Sequence, residues 1–157
     1  MWYEPVFYAC NYGVLAAWAL LLFAPRWRWT DRLVSSAVVP LLFGAAYALL
    51  LFSDRDGSPD GSFLTLDGIM AIFTSRQTVA AAWIHYLIFD LFVGAWEVRD
   101  AQKLGLPHLA VAPFLVLTLM FGPVGLLGYL TLRGVLRKRW RFETTTEPAP
   151  RAERAGS

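Results

Sequence analysis

The 157-residue chain is long enough for one domain and too short for two ordinary ones. Hydrophobic residues make up 57% of it against 17% charged. They come in blocks rather than in the alternation of a soluble core, which points to a bilayer as the solvent. The net charge of +2 comes from basic residues between and after those blocks. That is the pattern of membrane anchors, and it excludes a nucleic-acid surface.

Cys10 is the single cysteine, so an intramolecular disulfide and a cysteine-based metal cluster are both excluded. The opening Met1-Trp2-Tyr3-Glu4-Pro5 lacks the basic region of a secretory signal, and no small-x-small cleavage site follows the first apolar block. That block is expected to stay as a membrane anchor.

A membrane span needs roughly 20 apolar residues to cross a hydrocarbon core of about 30 Å. Four segments qualify, at about residues 6–23, 34–52, 79–98 and 110–132. The first ends at Pro25-Arg26-Trp27-Arg28-Trp29, where proline stops a helix and Trp and Arg suit an interface. After the second comes a polar, turn-forming stretch from Ser53 to Gly61. Residues 62–73 are apolar but too short to cross, and Asp67-Gly68 interrupts them, so a short interfacial or partly re-entrant helix is expected there. The third span carries His85, Asp90 and Glu97, whereas the fourth has no ionisable residue. From Arg133 the chain turns basic and then rich in Thr, Pro and Glu. The expectation is an all-α, polytopic integral membrane protein of about four transmembrane helices. It has a membrane domain over residues 1–142 and a disordered tail over 143–157.

Four spans place both termini on one side, together with Arg55, Arg76 and the cluster Arg137-Lys138-Arg139. Arg26, Arg28, Arg32, Arg99 and Lys103 fall on the other side. The distribution leans toward cytoplasmic termini, while the first loop argues the reverse. No internal repeat of the kind found in many transporters is visible.

A carboxylate at mid-span costs roughly 2.5 to 3.5 kcal/mol on insertion scales, so Asp90 is expected to face the bundle interior. Glu97 lies seven residues on, over the same stripe, with Gly94 between them leaving room for a neighbouring helix or a ligand. His85 is turned about 140° round the helix, on a stripe shared with Phe89, Phe92 and Trp96. Asp90 and His85 therefore cannot both point at one small group from a straight helix; if other spans wrap around the third helix they line two sides of an elongated groove, and Asn11 and Tyr12 of the first span are candidates to face it. Desolvation favours neutral forms, which makes Asp90 a candidate acid and His85 a candidate base. The alternative is that both only hydrogen-bond neighbouring helices.

Phe89, Trp96 and Thr118 are the candidate substrate contacts. His85, Asp90, Glu97, Asp100 and His108 offer nitrogen and oxygen ligands, but no spacing sets two on one helical turn, so neither a metal nor another cofactor is expected. His108, after Pro107, is expected in a solvated loop, and Glu97, Arg99 and Asp100 are expected as interfacial charges. In Leu117-Thr118-Leu119-Met120-Phe121-Gly122-Pro123-Val124-Gly125, Pro123 deletes a backbone hydrogen bond. A kink is expected there, either for packing or to open the cavity beside Asp90.

Three blocks together resemble the plant abscisic-acid-deficient, neoxanthin synthase-like membrane protein family and its bacterial relatives. They are Asp67-Gly68-Ile69-Met70, the run Trp83-Ile84-His85-Tyr86-Leu87-Ile88-Phe89-Asp90-Leu91-Phe92-Val93-Gly94, and Leu117-Thr118-Leu119-Met120-Phe121-Gly122-Pro123, with Asp100 and Pro107-His108 between the last two. The resemblance covers about half the chain, residues 66–133. It implies a small polytopic membrane protein related to the conversion of violaxanthin into neoxanthin. That epoxide-to-allenic-alcohol isomerisation needs an acid at oxygen and a base for a carbon-bound proton. His85 and Asp90 fall within the shared pattern and suit those roles chemically.

Without a transit peptide before Met1, the chain is expected to be a bacterial relative in the inner membrane. Its expected partners are membrane lipid and a carotenoid or other isoprenoid, with a homo-oligomer or a membrane enzyme as protein partner. Two non-isomerase readings stand beside this one. They are a non-catalytic helper that binds a pigment or partner, and a small proton or ion transporter that uses Asp90 and Glu97 as relay carboxylates.

Overall fold

The computed structural model describes residues 1–34, 36–54, 58–138 and Trp140, so the tail expected over 143–157 lies outside the described residues. Among the described residues the chain is all-helical, without a strand. Its helices are α1 (Tyr3–Phe23), α2 (Arg28–Leu33), α3 (Val38–Ser53), α4 (Leu66–Ile72), α5 (Arg76–Lys103), α6 (His108–Phe121) and α7 (Pro123–Arg137). Helices α1 and α5 are long and apolar enough to cross a membrane, while α3 and α6 are shorter apolar helices. The short helix expected within 62–73 is present as α4, a single helix that Thr65 caps by accepting a hydrogen bond from the Gly68 amide at 3.1 Å.

Helix α5 is the axis of the molecule, packed against α1, α3, α6 and α7. Local chemistry sets both of its ends. Ser75 caps the start by accepting from the Thr78 amide at 3.3 Å. Gly105 takes a φ of +62° just past the end, which lets Leu106 N–H reach Ala101 O and Gly105 N–H reach Gln102 O. These are the paired bonds of a glycine helix stop. Val14, Trp18 and Leu21 of α1 pack with Leu87, Leu91 and Val98 of α5 and with Val111 and Leu115 of α6 in the main core. A second cluster joins Cys10, Leu50, Ala81 and Ile84.

The expected fourth span, 110–132, is corrected by the structure. It is two helices folded back on each other, not one kinked helix. Gly122, at φ +42° and ψ −97°, ends α6 and starts α7, and Pro123 takes the first position of the new helix, where its missing N–H costs nothing. The two helices run antiparallel in close contact. A Cβ on Gly125 would overlap the Thr118 backbone nitrogen, and one on Gly128 would lie 2.5 Å from the Phe114 ring. At 1.5 Å per residue each arm is only about 22 Å long, short of a hydrocarbon core.

The arrangement of chain ends follows. His108 Nε2 lies 2.8 Å from Leu22 O, Gln102 donates to Pro25 O at 3.0 Å, and Arg137 donates to Gly105 O at 2.7 Å. The end of α1, the end of α5 and both open ends of the hairpin therefore meet at one end of the bundle. At the opposite end Gln77 donates to Leu50 O at 2.8 Å, and Asp54 accepts from Ser75 and Thr78 at 2.8 Å each. The start of α1 and the finish of α7 lie at opposite ends, contrary to the four-span expectation of termini on one side.

Gly125→Ala must push the hairpin arms apart against backbone, so it should destabilise the protein by about 1 to 3 kcal/mol. Gly44→Ala in α3, where an added Cβ meets nothing within 4 Å, should be neutral. Thermal unfolding of the two variants in the same detergent checks the contrast.

Candidate functional site

At 100° per residue, Arg76, Val79, Trp83, Tyr86, Asp90, Gly94 and Glu97 fall within about 80° of one another on α5. This single face is divided by the hairpin. From Asp90 onward it is covered. A Cβ on Gly122 would lie 2.8 Å from Asp90 Oδ1, and one on Gly94 would overlap the Trp18 ring, which fills the space that Gly94 leaves. Glu97 is fully buried and accepts the Thr118 hydroxyl at 3.0 and 3.2 Å to its two oxygens. Farther on, Asp100 accepts from Tyr129 and pairs with Arg133, its Oδ2 lying 3.2 Å from Nε. The Arg133 guanidinium carbon lies 5.9 Å from the Trp96 ring, which meets Tyr129 edge-on at 5.7 Å.

The part of the face before Asp90 is open, because the hairpin turns back at that level. A cavity of about 340 Å³ lies between α1 and α5, lined by Tyr3, Glu4, Phe7, Tyr8, Arg76 and Val79 among others. An apolar hollow of about 360 Å³ adjoins it, sharing Phe73 and Val79 and continuing past Trp83 to Tyr86. Trp83 donates to Asn11 Oδ1 at 3.1 Å, which pins this part of α5 to α1. Tyr86 stands one turn before Asp90 and is in electrostatic contact with its carboxylate. Asp90 Oδ2 is buried with no hydrogen-bond partner among the described residues. The groove therefore runs from Glu4 and Arg76 along an apolar wall to Tyr86, and the buried Asp90 lies one helical turn beyond its end.

The structure does not converge the sequence-predicted residues on one point. Asp90 is buried at the hairpin tip, whereas His85 is exposed on another face, its ring 5.3 Å from Tyr47 and 4.6 Å from Phe89. Phe89 is more than half exposed, Trp96 belongs with Tyr129 and Arg133, and Thr118 serves Glu97. Asn11 faces the groove through Trp83, while Tyr12 is exposed and stacks on Tyr8. His108 is corrected from a solvated loop residue to the first residue of α6, tied to α1. Glu97 and Asp100 are corrected from interfacial charges to members of buried networks. Sequence reasoning missed Tyr86, although its position one turn before Asp90 was a signal for it. It also missed Tyr129 and Arg133, which only the fold-back of α7 brings to Asp100. No three His, Cys, Asp or Glu side chains gather in a metal-binding group among the described residues.

A family model described as ABA DEFICIENT 4-like matches residues 5–129. The chain belongs to this family. The match spans Asp90, Glu97, the turn of the hairpin and the groove apart from Tyr3 and Glu4. A curated relative of this ABA DEFICIENT 4-like chain is Protein ABA DEFICIENT 4, chloroplastic, of Arabidopsis thaliana. It is 28% identical over 148 residues, covering 87% of this chain and 64% of the relative. This family member thus spans a little under two thirds of that relative's length. No solved structure matches it.

Thr118→Val removes the hydroxyl that satisfies both oxygens of the buried Glu97 and should destabilise the protein by about 1 to 3 kcal/mol. Adding Glu97→Leu removes the stranded group as well and should recover part of that loss. Unfolding midpoints of the single and double variants in detergent test this coupling.

Proposed function

We propose that this ABA DEFICIENT 4-like protein is an integral membrane protein that isomerises a carotenoid or other isoprenoid lipid, with Asp90 as the proton-transfer group. The observation that carries the reading is a buried carboxylate oxygen of Asp90 without a hydrogen-bond partner among the described residues, one helical turn past Tyr86, where the apolar hollow ends. Such a group in a lipid setting is retained at a cost and marks a functional position. The groove suits a long apolar molecule entering from the side.

The outer surface supports a lipid setting. Helix α3 has no charged residue and buries only Leu50, leaving Leu41, Leu42 and Phe52 more than 60% exposed. In this reading α1, α3 and α5 cross the bilayer, α4 lies at the surface, and α6–α7 enters and leaves from one side as a re-entrant hairpin. Arg26, Arg28, Arg32, Arg99, Lys103, Arg137 and Lys138 then share one face of the membrane, against Arg76 on the other among the described residues. The positive-inside rule makes the basic face cytoplasmic, and in a bacterium the membrane is the inner one.

An isomerisation consumes no net proton. A neutral carboxyl that delivers its proton to an opening epoxide oxygen, and takes one from the neighbouring carbon at its other oxygen, returns to its starting state after each turnover. Tyr86, at the end of the apolar hollow, orients the reacting oxygen beside Asp90. His85 lies outside this groove, so in this reading it packs against Tyr47 and Phe89 and the base role expected of it passes to Asp90 itself.

Asp90→Asn should abolish product formation with normal membrane accumulation, while His85→Ala should keep most of it. The readout is a pigment and lipid profile, by chromatography with mass detection, of a gene-deleted host carrying each variant. Product from Asp90→Asn would overturn the reading. A second reading, proton movement, draws on the fully buried Glu97 on the same face as Asp90. Proton flux in sealed liposomes that disappears in Asp90→Asn, with an unchanged lipid profile, would replace isomerisation by transport. The topology has its own test in a Cys10→Ala background. A membrane-impermeant maleimide should label Asp60→Cys from outside, and Lys138→Cys only after permeabilisation. Labelling of both from the same side would rule out the re-entrant hairpin.

A further inference from the structure

At the end of the bundle away from the groove, a cavity of about 500 Å³ opens between the α1–α2 connection and the last turns of α5. Its charged and polar lining is Arg26, Arg28, Asp31, Arg99 and Gln102, three guanidinium groups against one carboxylate. The walls are built rather than loose. Gln102 donates to Pro25 O at 3.0 Å, Thr30 is buried and donates to Ala24 O at 2.8 Å, and Trp27 N–H reaches Ala24 O at 3.1 Å. No ion pair joins Arg26 or Arg28 to a carboxylate among the described residues. Arg26 and Arg28 thus bring positive charge to the wall of this cavity, which favours an anion within it.

Arginine is the residue suited to that anion when it is a phosphate, because its planar fork gives two parallel hydrogen bonds to adjacent oxygens. Trp27 and Trp29 beside the cavity are 51% and 40% exposed, and Arg28 and Arg32 lie 5.7 and 5.6 Å from the Trp29 ring. Trp and Arg together at the end of a long apolar helix mark the level of lipid headgroups. We propose that this cavity binds the phosphate of an anionic membrane phospholipid. The site is separate from the Asp90 groove and does not depend on the reaction assigned to it. Basic pockets of this kind between membrane helices favour lipids with net negative headgroups.

The test uses the purified full chain in detergent, with native mass spectrometry and thermal shift as readouts. The probes are phosphatidylglycerol, phosphatidylcholine and inorganic phosphate. Phosphatidylglycerol should bind at least threefold more tightly than phosphatidylcholine and raise the unfolding temperature. Arg26→Gln/Arg28→Gln should weaken phosphatidylglycerol about tenfold, while the charge-matched Lys103→Gln/Lys138→Gln, at the same end but outside the cavity, should change it less than twofold. Should the arginine variant fail to fold, Asp31→Asn supplies the opposite sign, because removing the one carboxylate should tighten phosphatidylglycerol severalfold. Equal binding of the two lipids, or equal effects of the two double variants, would overturn the proposal. So would saturation by inorganic phosphate with no lipid preference, which would make the ligand a soluble phosphate.

Discussion

Between Phe121 and Pro123 the chain reverses direction at a single glycine, and the rest of the architecture rests on that reversal. A turn between two helices leaves the last carbonyls of one and the first amides of the next without partners. In a bilayer such groups find no water. The chain meets part of the demand locally, with the Gly122 amide bonded to Thr118 O and Leu126 N–H bonded to Gly122 O. Proline at the first position of α7 removes one donor that would otherwise need a partner. The positive φ of Gly122 is accessible to glycine and strained for other residues, and Gly125 and Gly128 allow the two arms to touch.

The reversal also decides what happens on α5. The hairpin is only half as deep as α5 is long, so it covers one half of the acidic face and leaves the other open. On the covered half each acid has a partner, Glu97 in Thr118 and Asp100 in Tyr129 and Arg133. Asp90 sits at the boundary, against the hairpin tip on one side and Tyr86 on the other. The contrast between Glu97, whose two oxygens both meet Thr118, and Asp90, whose Oδ2 has no hydrogen-bond partner among the described residues, separates structural from chemical candidates more sharply than burial does, since Glu97 is the more buried of the two.

Much of this was legible in the residues. The apolar blocks located α1, α3 and α5, and Thr65, Ser75 and Gly105 are standard end signals that the structure uses as such. The stripe through Asp90, Gly94 and Glu97 follows from helical periodicity alone, as does the angular separation of His85 from Asp90. The family resemblance, carried by the blocks around Asp90 and Gly122, agrees with the matched family. The 110–132 block was read as one kinked span because apolar composition reports only that a segment prefers lipid. A chain of that composition satisfies the same preference by crossing once or by entering and returning.

Sequence by itself therefore determined the helical class, the central helix and the acid on its inward face, because these depend on local hydrogen bonding and on a 3.6-residue period. Tertiary structure alone decided which neighbour each inward residue meets. Trp18 fills the gap at Gly94, Thr118 reaches Glu97, Arg133 reaches Asp100, and Arg26, Arg28 and Arg99 surround one cavity, all from residues far apart in the chain. The physical reason is that these contacts depend on the direction in which a helix leaves a turn. At Gly122 that direction is held by the close fit of the two arms, with Thr118 against Gly125 and Phe114 against Gly128, a fit that exists only once the chain has folded.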